Sequence, residues 1–193
     1  METEEAVTPY ADETQWRKAW QGAWKHGVIL VFPPEPHLSK ITTLRNRYAW
    51  SQSTDCPAHI GLTRQISRPV LPSDVEEIQK KIRRMKRFTL DYGPVVENPP
   101  HSRVALAVEQ QAELKKLLEA IESASLFENS PKRKYPYLAE MIIAERVSWV
   151  QTRQIIAEVK DLPLSGSFNL SSVSYVVPDQ NFKFTERLRF FLE

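Results

Sequence analysis

The stretch that decides the fold is Cys56-Pro57-Ala58-His59-Ile60-Gly61-Leu62-Thr63, in which one histidine lies in an alternating apolar run after a proline. A second stretch, Tyr135-Pro136-Tyr137-Leu138-Ala139-Glu140-Met141-Ile142-Ile143-Ala144-Glu145, has the same proline-led outline but contains no histidine. Because side chains alternate between the two faces of a strand, each stretch predicts a strand with one buried face. The pair predicts a two-lobed site built by duplication, with strands at about residues 57–66 and 138–147.

Helix-like and strand-like segments alternate along the rest of the chain. The apolar run 27–32 predicts a buried central strand, and residues 36–50 predict a helix with Ser39 as its N-cap. The remaining elements are predicted as a basic helix opened by a capping box at 73–76 and extending to about residue 86, strands at 88–92 and 103–108, helices at 109–123 and 148–160, one long or two short strands at 167–177, and a last strand or hairpin arm at 182–192. This mixed order predicts an α+β fold.

The first 26 residues are polar and contain three tryptophans at a spacing of four, Trp16, Trp20 and Trp24. This spacing places the three indoles on one face of a helix, where they are expected to pack on the rest of the protein. We therefore predict an N-terminal Trp-rich helical segment, 1–26, followed by one bilobal domain, 27–193.

Composition excludes several classes of protein. The 193 residues include one cysteine, which rules out an internal disulfide and fits a reducing, cytoplasmic location. No apolar run approaches the ~18 residues of a membrane helix, and the acidic first residues do not resemble a signal peptide. The four histidines are scattered, so no metal site is predicted, and no glycine-rich phosphate loop is present.

Two clusters of positive charge exceed what the net charge of +2 suggests. The cluster at 80–87 has apolar residues at helical spacing and is expected to be the solvated face of an amphipathic helix. The run Lys132-Arg133-Lys134 directly precedes the second motif strand, so it is predicted to place cations at the mouth of a site. Phosphates are the natural ligands of such a cluster.

The layout resembles the 2H phosphoesterase superfamily, and in particular its 2'-5' RNA ligase-like members. In that family each lobe supplies a strand bearing His-x-Thr/Ser, and the two motifs face one another across a cleft. One histidine serves as general base and the other as general acid on a 2',3'-cyclic phosphate or a 2'-5' linkage, while the hydroxyls hold phosphate oxygens. The resemblance rests on the first motif with His59 and on the segments 27–34, 103–123, 140–145 and 166–179.

The resemblance implies an α+β bilobal fold with two pseudo-symmetric antiparallel sheets, flanked by helices around a central cleft. It implies no metal and no cofactor. His59 aligns with the first family histidine, but Gly61 stands where the family has threonine or serine. Thr63 lies on the same strand face but about 6–7 Å further along, so it does not simply replace the missing hydroxyl.

The second motif has two possible alignments. In the preferred one, Glu140 aligns with the second histidine and Ile142 with the hydroxyl residue. In the alternative, Tyr137 aligns with the histidine and Ala139 with the hydroxyl residue. Both alignments leave the second motif without a histidine and without a hydroxyl at the phosphate-binding position, so acid–base catalysis by two histidines is not available.

Three interpretations follow for the function. The chain is a diverged 2H-like protein that binds a nucleotide, a cyclic phosphodiester, an RNA terminus or a protein partner, with weak or lost hydrolase activity. Alternatively, it is an active phosphoesterase in which His59 and Glu140 share the acid–base work. In the third interpretation His59 is a packed residue of an unrelated α+β domain.

Side chains near the two motifs are the candidates for ligand binding. Gly61, Thr63, Ile142 and Tyr137 are predicted to line the cleft, and Arg64 and Lys134 are predicted to hold phosphate or to form surface ion pairs. The aromatic side chains able to stack on a base, or simply to pack in the core, are Tyr92, Tyr135, Tyr137 and Trp149. His101 lies in a predicted loop without a motif and receives no role.

Overall fold

A single curled antiparallel sheet organises the chain. The computed structural model describes residues 4–16, 18–48 and 56–193. The strands are β1 Val28–Val31, β2 Ile60–Gly61, β3 Phe88–Asn98, β4 His101–Val108, β5 Glu140–Ala144, β6 Gly166–Leu170, β7 Ser172–Pro178 and β8 Phe184–Phe191. The α-helices are α1 His37–Tyr48, α2 Pro72–Ile82, α3 Gln111–Glu122 and α4 Trp149–Val159. The predicted α+β class is confirmed.

The strand order across the described residues is β6-β3-β4-β5-β2-β1-β7-β8, and every neighbouring pair is antiparallel. Each half contains four strands, as a bilobal fold requires. The sequence predicted two sheets, whereas the structure joins the halves through the β2–β5 pair. Because the two motif strands form this junction, the centre of the sheet is also the centre of the candidate site.

The strand β1 is buried on both of its faces. Ile29 and Val31 belong to the main core, while Val28 and Leu30 belong to a small second cluster that is covered by Trp24, Phe32 and Phe184. A strand that is buried on both faces reads as a continuous apolar run, which explains the pattern at 27–32. Helices α1 and α4 pack on β5 and on β3–β4, and α2 packs on α3 and β8.

Several predicted boundaries need correction. The first motif strand is only Ile60–Gly61, because backbone pairing with β1 and β5 is confined to these residues. Ser39 lies inside α1, where its hydroxyl donates to Glu35, and is not the N-cap. The cap of α2 is formed by Asp74, whose carboxylate accepts the Leu71 N–H, and this helix ends at Ile82. The predicted helix residues 49–50 lie outside the described residues.

The N-terminal tryptophans do not share one α-helix: Trp20 and Trp24 lie on the 3-10 helix Ala19–Trp24, and Trp16 directly follows the 3-10 helix Glu13–Gln15. Lys18 has an extended backbone, with φ of −134°, and interrupts the predicted helix. The three indoles nevertheless converge, since their rings contact Phe182 edge-on at centroid distances of 6.4, 5.0 and 6.1 Å for Trp16, Trp20 and Trp24. Among the described residues, no helix is long and apolar enough to cross a membrane.

Candidate functional site

The two motifs meet at the β2–β5 junction, where Ile60 pairs with Met141. Both of these side chains face the core and are fully buried. If this antiparallel register is extended by one residue in each direction, Gly61 lies opposite Glu140 and His59 lies opposite Ile142. Residues that lie directly opposite one another point to the same face of the sheet. These four residues, which we call the motif floor, therefore share the face opposite the core, and they line one cavity.

This register distinguishes the two alignments of the second motif. With Glu140 and Ile142 as the motif positions, the two motifs are related by a pseudo-twofold axis through the Ile60–Met141 pair. Ala139, the hydroxyl position of the alternative alignment, is 1% exposed and belongs to the main core. The structure thus favours the alignment with Glu140 and Ile142.

His59 is held in an apolar setting at the start of the junction. Its ring lies near Phe32 and Phe184, with centroid distances of 6.5 and 6.4 Å. The Nδ1 atom lies 2.8 Å from the Pro57 carbonyl oxygen, and since a carbonyl only accepts, Nδ1 carries the proton. Burial, with a smaller contribution from the positive charge of Arg45, lowers the pKa of His59 from 6.5 to about 4. The hydrogen bond to the Pro57 carbonyl acts in the opposite direction and raises this pKa. His59 is therefore neutral at pH 7.

This shift predicts a loss of stability in acid. A histidine whose pKa is depressed in the folded state contributes stability above its unfolded pKa of 6.5, and this contribution disappears as pH falls toward 4. The difference corresponds to about 3 kcal/mol. His59→Asn keeps a donor for the Pro57 carbonyl but does not titrate, so we expect urea unfolding of this variant to lack that portion of the pH dependence. Parallel pH profiles for variant and wild type would contradict the assignment.

Glu140 is anchored by the tip of the β3–β4 hairpin. Its side chain is 7% exposed, and it forms an ion pair with Arg103. The Asn98 amide donates to the same carboxylate at 2.6 Å. Burial raises the pKa of Glu140, while Asn98 and Arg103 oppose that shift. The carboxylate predicted to share acid–base work therefore already has two protein partners.

Gly61 and Ile142, the two residues aligned with the hydroxyl positions of the motifs, differ in their surroundings. Gly61 is exposed, and a Cβ placed on it would meet no atom within 4 Å. Ile142 is half-buried and lines both cavities of the cleft, while its backbone carbonyl accepts from Arg45. A side-chain hydroxyl is thus missing from both positions, although Gly61 has space for one.

Two of the predicted cleft residues, Thr63 and Arg64, have structural partners. The Thr63 hydroxyl oxygen accepts the Ile29 N–H at 3.0 Å and so continues the β1–β2 pairing. The Arg64 guanidinium donates to Glu122 and to the carbonyl oxygens of Ser130 and Phe127. These contacts favour the ion-pair alternative for Arg64, because its donors are directed at α3 and the loop that follows it.

Tyr137 and Lys134 lie on the second side of the cleft. The Tyr137 hydroxyl donates to the Gly61 carbonyl at 3.2 Å, and the Arg133 guanidinium carbon lies 5.4 Å from the centre of its ring. Burial raises the pKa of this tyrosine. The exposed Lys134 ammonium lies 5.4 Å from the centre of the Tyr135 ring. Of the two, Lys134 is the side chain available to a ligand.

Positive charge surrounds one half of the cleft, a cavity of about 490 Å³. We call the cationic and histidine side chains that line it near the second motif the basic compartment, which comprises His101, Arg103, Lys132, Arg133 and Lys134. Arg133 also pairs with Glu122. The run 132–134 lines this cavity beside the second motif, and His101, which received no role from the sequence, lines it as well.

Aromatic side chains surround the other half, a cavity of about 470 Å³. We call its ring-bearing wall the aromatic compartment, which comprises Trp20, Trp24, Phe182 and Phe184. Phe182 and Arg146, also in the lining, have φ of 64° and 58°, a left-handed conformation that costs roughly 1–2 kcal/mol in such residues. The Arg146 guanidinium lies 4.0 Å from the centre of the Trp20 ring. Packing of this wall offsets the backbone strain.

The two cavities form one continuous cleft, because Gly61, Thr63, Glu140 and Ile142 line both. Of the four candidates for base stacking named from the sequence, Tyr135 and Tyr137 line the basic half, whereas Tyr92 and Trp149 line neither half.

Sequence reasoning missed Arg103 and the role of Phe182. The one available signal was the tryptophan spacing, since three indoles on one face require an apolar partner. Among the described residues, no three potential ligand side chains converge as a metal site.

No protein-family model matches the chain, and no curated protein matches it by sequence. Solved structures do match. Escherichia coli LigT complexed with 3'-AMP has a TM-score of 0.61 at 15% identity, over 86% of this chain and 96% of that one. LigT complexed with NADP+ has a TM-score of 0.55 at 15% identity, over 86% and 95%. A further phosphoesterase structure has a TM-score of 0.57 at 14% identity, over 86% and 96%.

At these identities the likeness concerns the fold alone. It agrees with the eight antiparallel strands among the described residues and with a cleft at the junction of two pseudo-symmetric halves. The resemblance seen in the sequence is thereby confirmed at the level of architecture: this chain has the 2H phosphoesterase fold of LigT.

Proposed function

We propose that this protein binds a nucleotide, a phosphodiester or an RNA end in the cleft, and that the hydrolase activity associated with its fold is weak or lost. The observation that carries this proposal is the motif floor, which contains one imidazole and no hydroxyl and lies between a basic and an aromatic compartment. A cleft of this kind retains places for a phosphate and a ring while lacking half of the reacting groups.

The state of the two candidate catalytic groups supports the proposed loss of activity. A general acid or base typically contributes about 10²–10⁴-fold in rate, and is most effective when its pKa lies near the working pH. The pKa of His59 is lowered to about 4, which makes it a weak base and, at pH 7, no acid. Its counterpart, Glu140, is held by Asn98 and Arg103. Neither group is suited to protonate a leaving oxygen at neutral pH.

Binding is supported by the complementary chemistry of the two compartments. Lysine and arginine side chains bind phosphate oxygens through charge-assisted hydrogen bonds. Aromatic side chains stack on nucleobases with about 1–3 kcal/mol per base. LigT, which has the same fold, has been solved with 3'-AMP and with NADP+, both of which combine a phosphate with a base.

We expect 3'-AMP to raise the melting temperature by about 5–10 °C at a hundredfold excess over its Kd, without being consumed. Trp20→Ala removes part of the aromatic compartment and should weaken 3'-AMP binding about tenfold or more. The matched control is Trp149→Ala on α4, a partly exposed tryptophan outside the cleft lining. Equal loss in both variants, or no shift with any phosphorylated ligand, would contradict the proposal and favour a protein partner.

One observation favours the alternative of an active cyclic phosphodiesterase or 2'-5' phosphoesterase that uses His59 and Glu140. Burial raises the pKa of Glu140, and a raised pKa is the condition under which a carboxyl group can act as an acid near neutral pH. This alternative requires turnover of 2',3'-cyclic nucleotides that both His59→Ala and Glu140→Gln abolish. Turnover that survives Glu140→Gln would exclude the shared acid–base role.

A further inference from the structure

The basic compartment has an excess of positive charge that its protein partners do not neutralise. Four of its five members are lysine or arginine, and the carboxylate within the same cavity lining is Glu140. Glu122, which pairs with Arg133 and Arg64, adds a second negative charge behind the lining. In the described part of the chain, no carboxylate lies within ion-pair distance of Lys132 or Lys134.

Arg103 adds a further positive charge to the compartment. Its guanidinium pairs with Glu140, yet its Nε atom is buried and has no hydrogen-bond partner among the described residues. A buried donor without a partner costs about 1–3 kcal/mol, and such donors are rare in folded proteins. Because the Nε atom is closed off from the cavity, Arg103 contributes its positive charge to the compartment.

The position of Glu140 defines which anion fits. Its carboxylate lies on the motif floor, where a diester phosphate of the family type would sit, and this negative charge repels a phosphate placed there. The lysines of the run 132–134 line the same cavity and are exposed to solvent. The favourable place for a phosphate is therefore displaced from the motif floor into the basic compartment.

We infer that this compartment selects a terminal phosphomonoester over a phosphodiester, an inference that rests on the proposed function. A monoester carries about −1.5 to −2 charges at pH 7 and presents three acceptor oxygens, whereas a diester carries a single charge. The surplus cations of the compartment match the dianion. The ligand class is then a nucleotide or RNA end that bears a free terminal phosphate.

Isothermal titration calorimetry with 3'-AMP, 2',3'-cyclic AMP, adenosine and inorganic phosphate tests this inference. We expect 3'-AMP to bind at least about tenfold more tightly than the cyclic diester. Lys132→Gln/Lys134→Gln should abolish that preference, because it removes two positive charges from the cavity lining. Both side chains are exposed, so their removal leaves the core intact. The control Lys80→Gln/Arg84→Gln removes the same charge from the exposed cluster near the end of α2 and should leave the preference unchanged.

The outcomes separate the two proposals. Equal affinity for 3'-AMP and 2',3'-cyclic AMP, both above adenosine, overturns monoester selection and leaves the cleft as a phosphate-ligand site. If Lys132→Gln/Lys134→Gln and Lys80→Gln/Arg84→Gln weaken the preference for 3'-AMP equally, the assignment to the basic compartment is overturned. Such a result indicates a general effect of net charge. Binding of none of the phosphorylated compounds above adenosine overturns the proposed function itself.

Discussion

The triple variant Gly61→Thr/Glu140→His/Ile142→Thr is expected to hydrolyse 2',3'-cyclic AMP at least about 10²-fold faster than the wild type. The three changes supply the second imidazole and the two hydroxyls that the family resemblance implies for the motif floor. A general acid alone contributes roughly 10²–10⁴-fold. The substitutions are sterically feasible because Gly61 faces open space and threonine is smaller than the half-buried Ile142.

The same triple variant carrying His59→Ala is the control and should show no gain. Removal of Glu140 also leaves Arg103 without its ion-pair partner, so a fourth change, Arg103→Gln, provides a version in which no unpaired guanidinium remains. Circular dichroism and 3'-AMP binding report whether each variant is folded. Folded, ligand-binding variants that hydrolyse nothing would show that the missing side chains are not what limits the activity.

Arg103→Met is expected to lower the free energy of unfolding by about 3 kcal/mol at pH 7. Without the guanidinium, the buried Glu140 carboxyl must either remain as an uncompensated charge or bind a proton, and protonation at pH 7 of a group with an ordinary pKa of 4.5 costs about that much. Because a protonated carboxyl needs no cation, the loss should shrink as pH falls toward 4.5. Urea unfolding at several pH values measures both quantities.

The double variant Arg103→Met/Glu140→Gln provides the matched control for that prediction. It replaces both partners by neutral groups of similar shape and keeps an acceptor for the Asn98 amide. Such replacement of a buried pair is often close to neutral, so most of the lost stability should return. A double variant as unstable as Arg103→Met would show that the arginine contributes packing rather than charge compensation.

The alternation of side chains along two short stretches predicted two strands with buried faces, whereas the resemblance to the 2H phosphoesterase superfamily supplied the bilobal fold and the residues expected to face one another across the cleft. In each stretch the apolar partners, Ile60 and Met141, alternate with the residues that face the cleft, so the pairing of the two strands brings His59, Gly61, Glu140 and Ile142 together. The mixed order of helices and strands along the rest of the chain predicted the α+β class. These are local properties, which a sequence displays directly.

Long-range polar contacts could not be predicted in the same way. Glu122, which pairs with Arg64, lies 58 residues away, and Asn98 lies 42 residues from the carboxylate that it contacts. Neither partner is marked by periodicity or by a motif. The same holds for Phe182, where a left-handed backbone places a phenylalanine against three tryptophans from the other end of the chain. Such contacts arise only once the strands have set the distances between loops.

The central claim is that the cleft holds a phosphate ligand without cleaving it. A titration of 2',3'-cyclic AMP with the protein, followed by ³¹P nuclear magnetic resonance, tests both halves of that claim in one spectrum. We predict that the cyclic phosphate resonance shifts or broadens with added protein while no monophosphate resonance grows. Monophosphate resonances that accumulate with wild type and are absent with His59→Ala would contradict the claim and establish an active hydrolase.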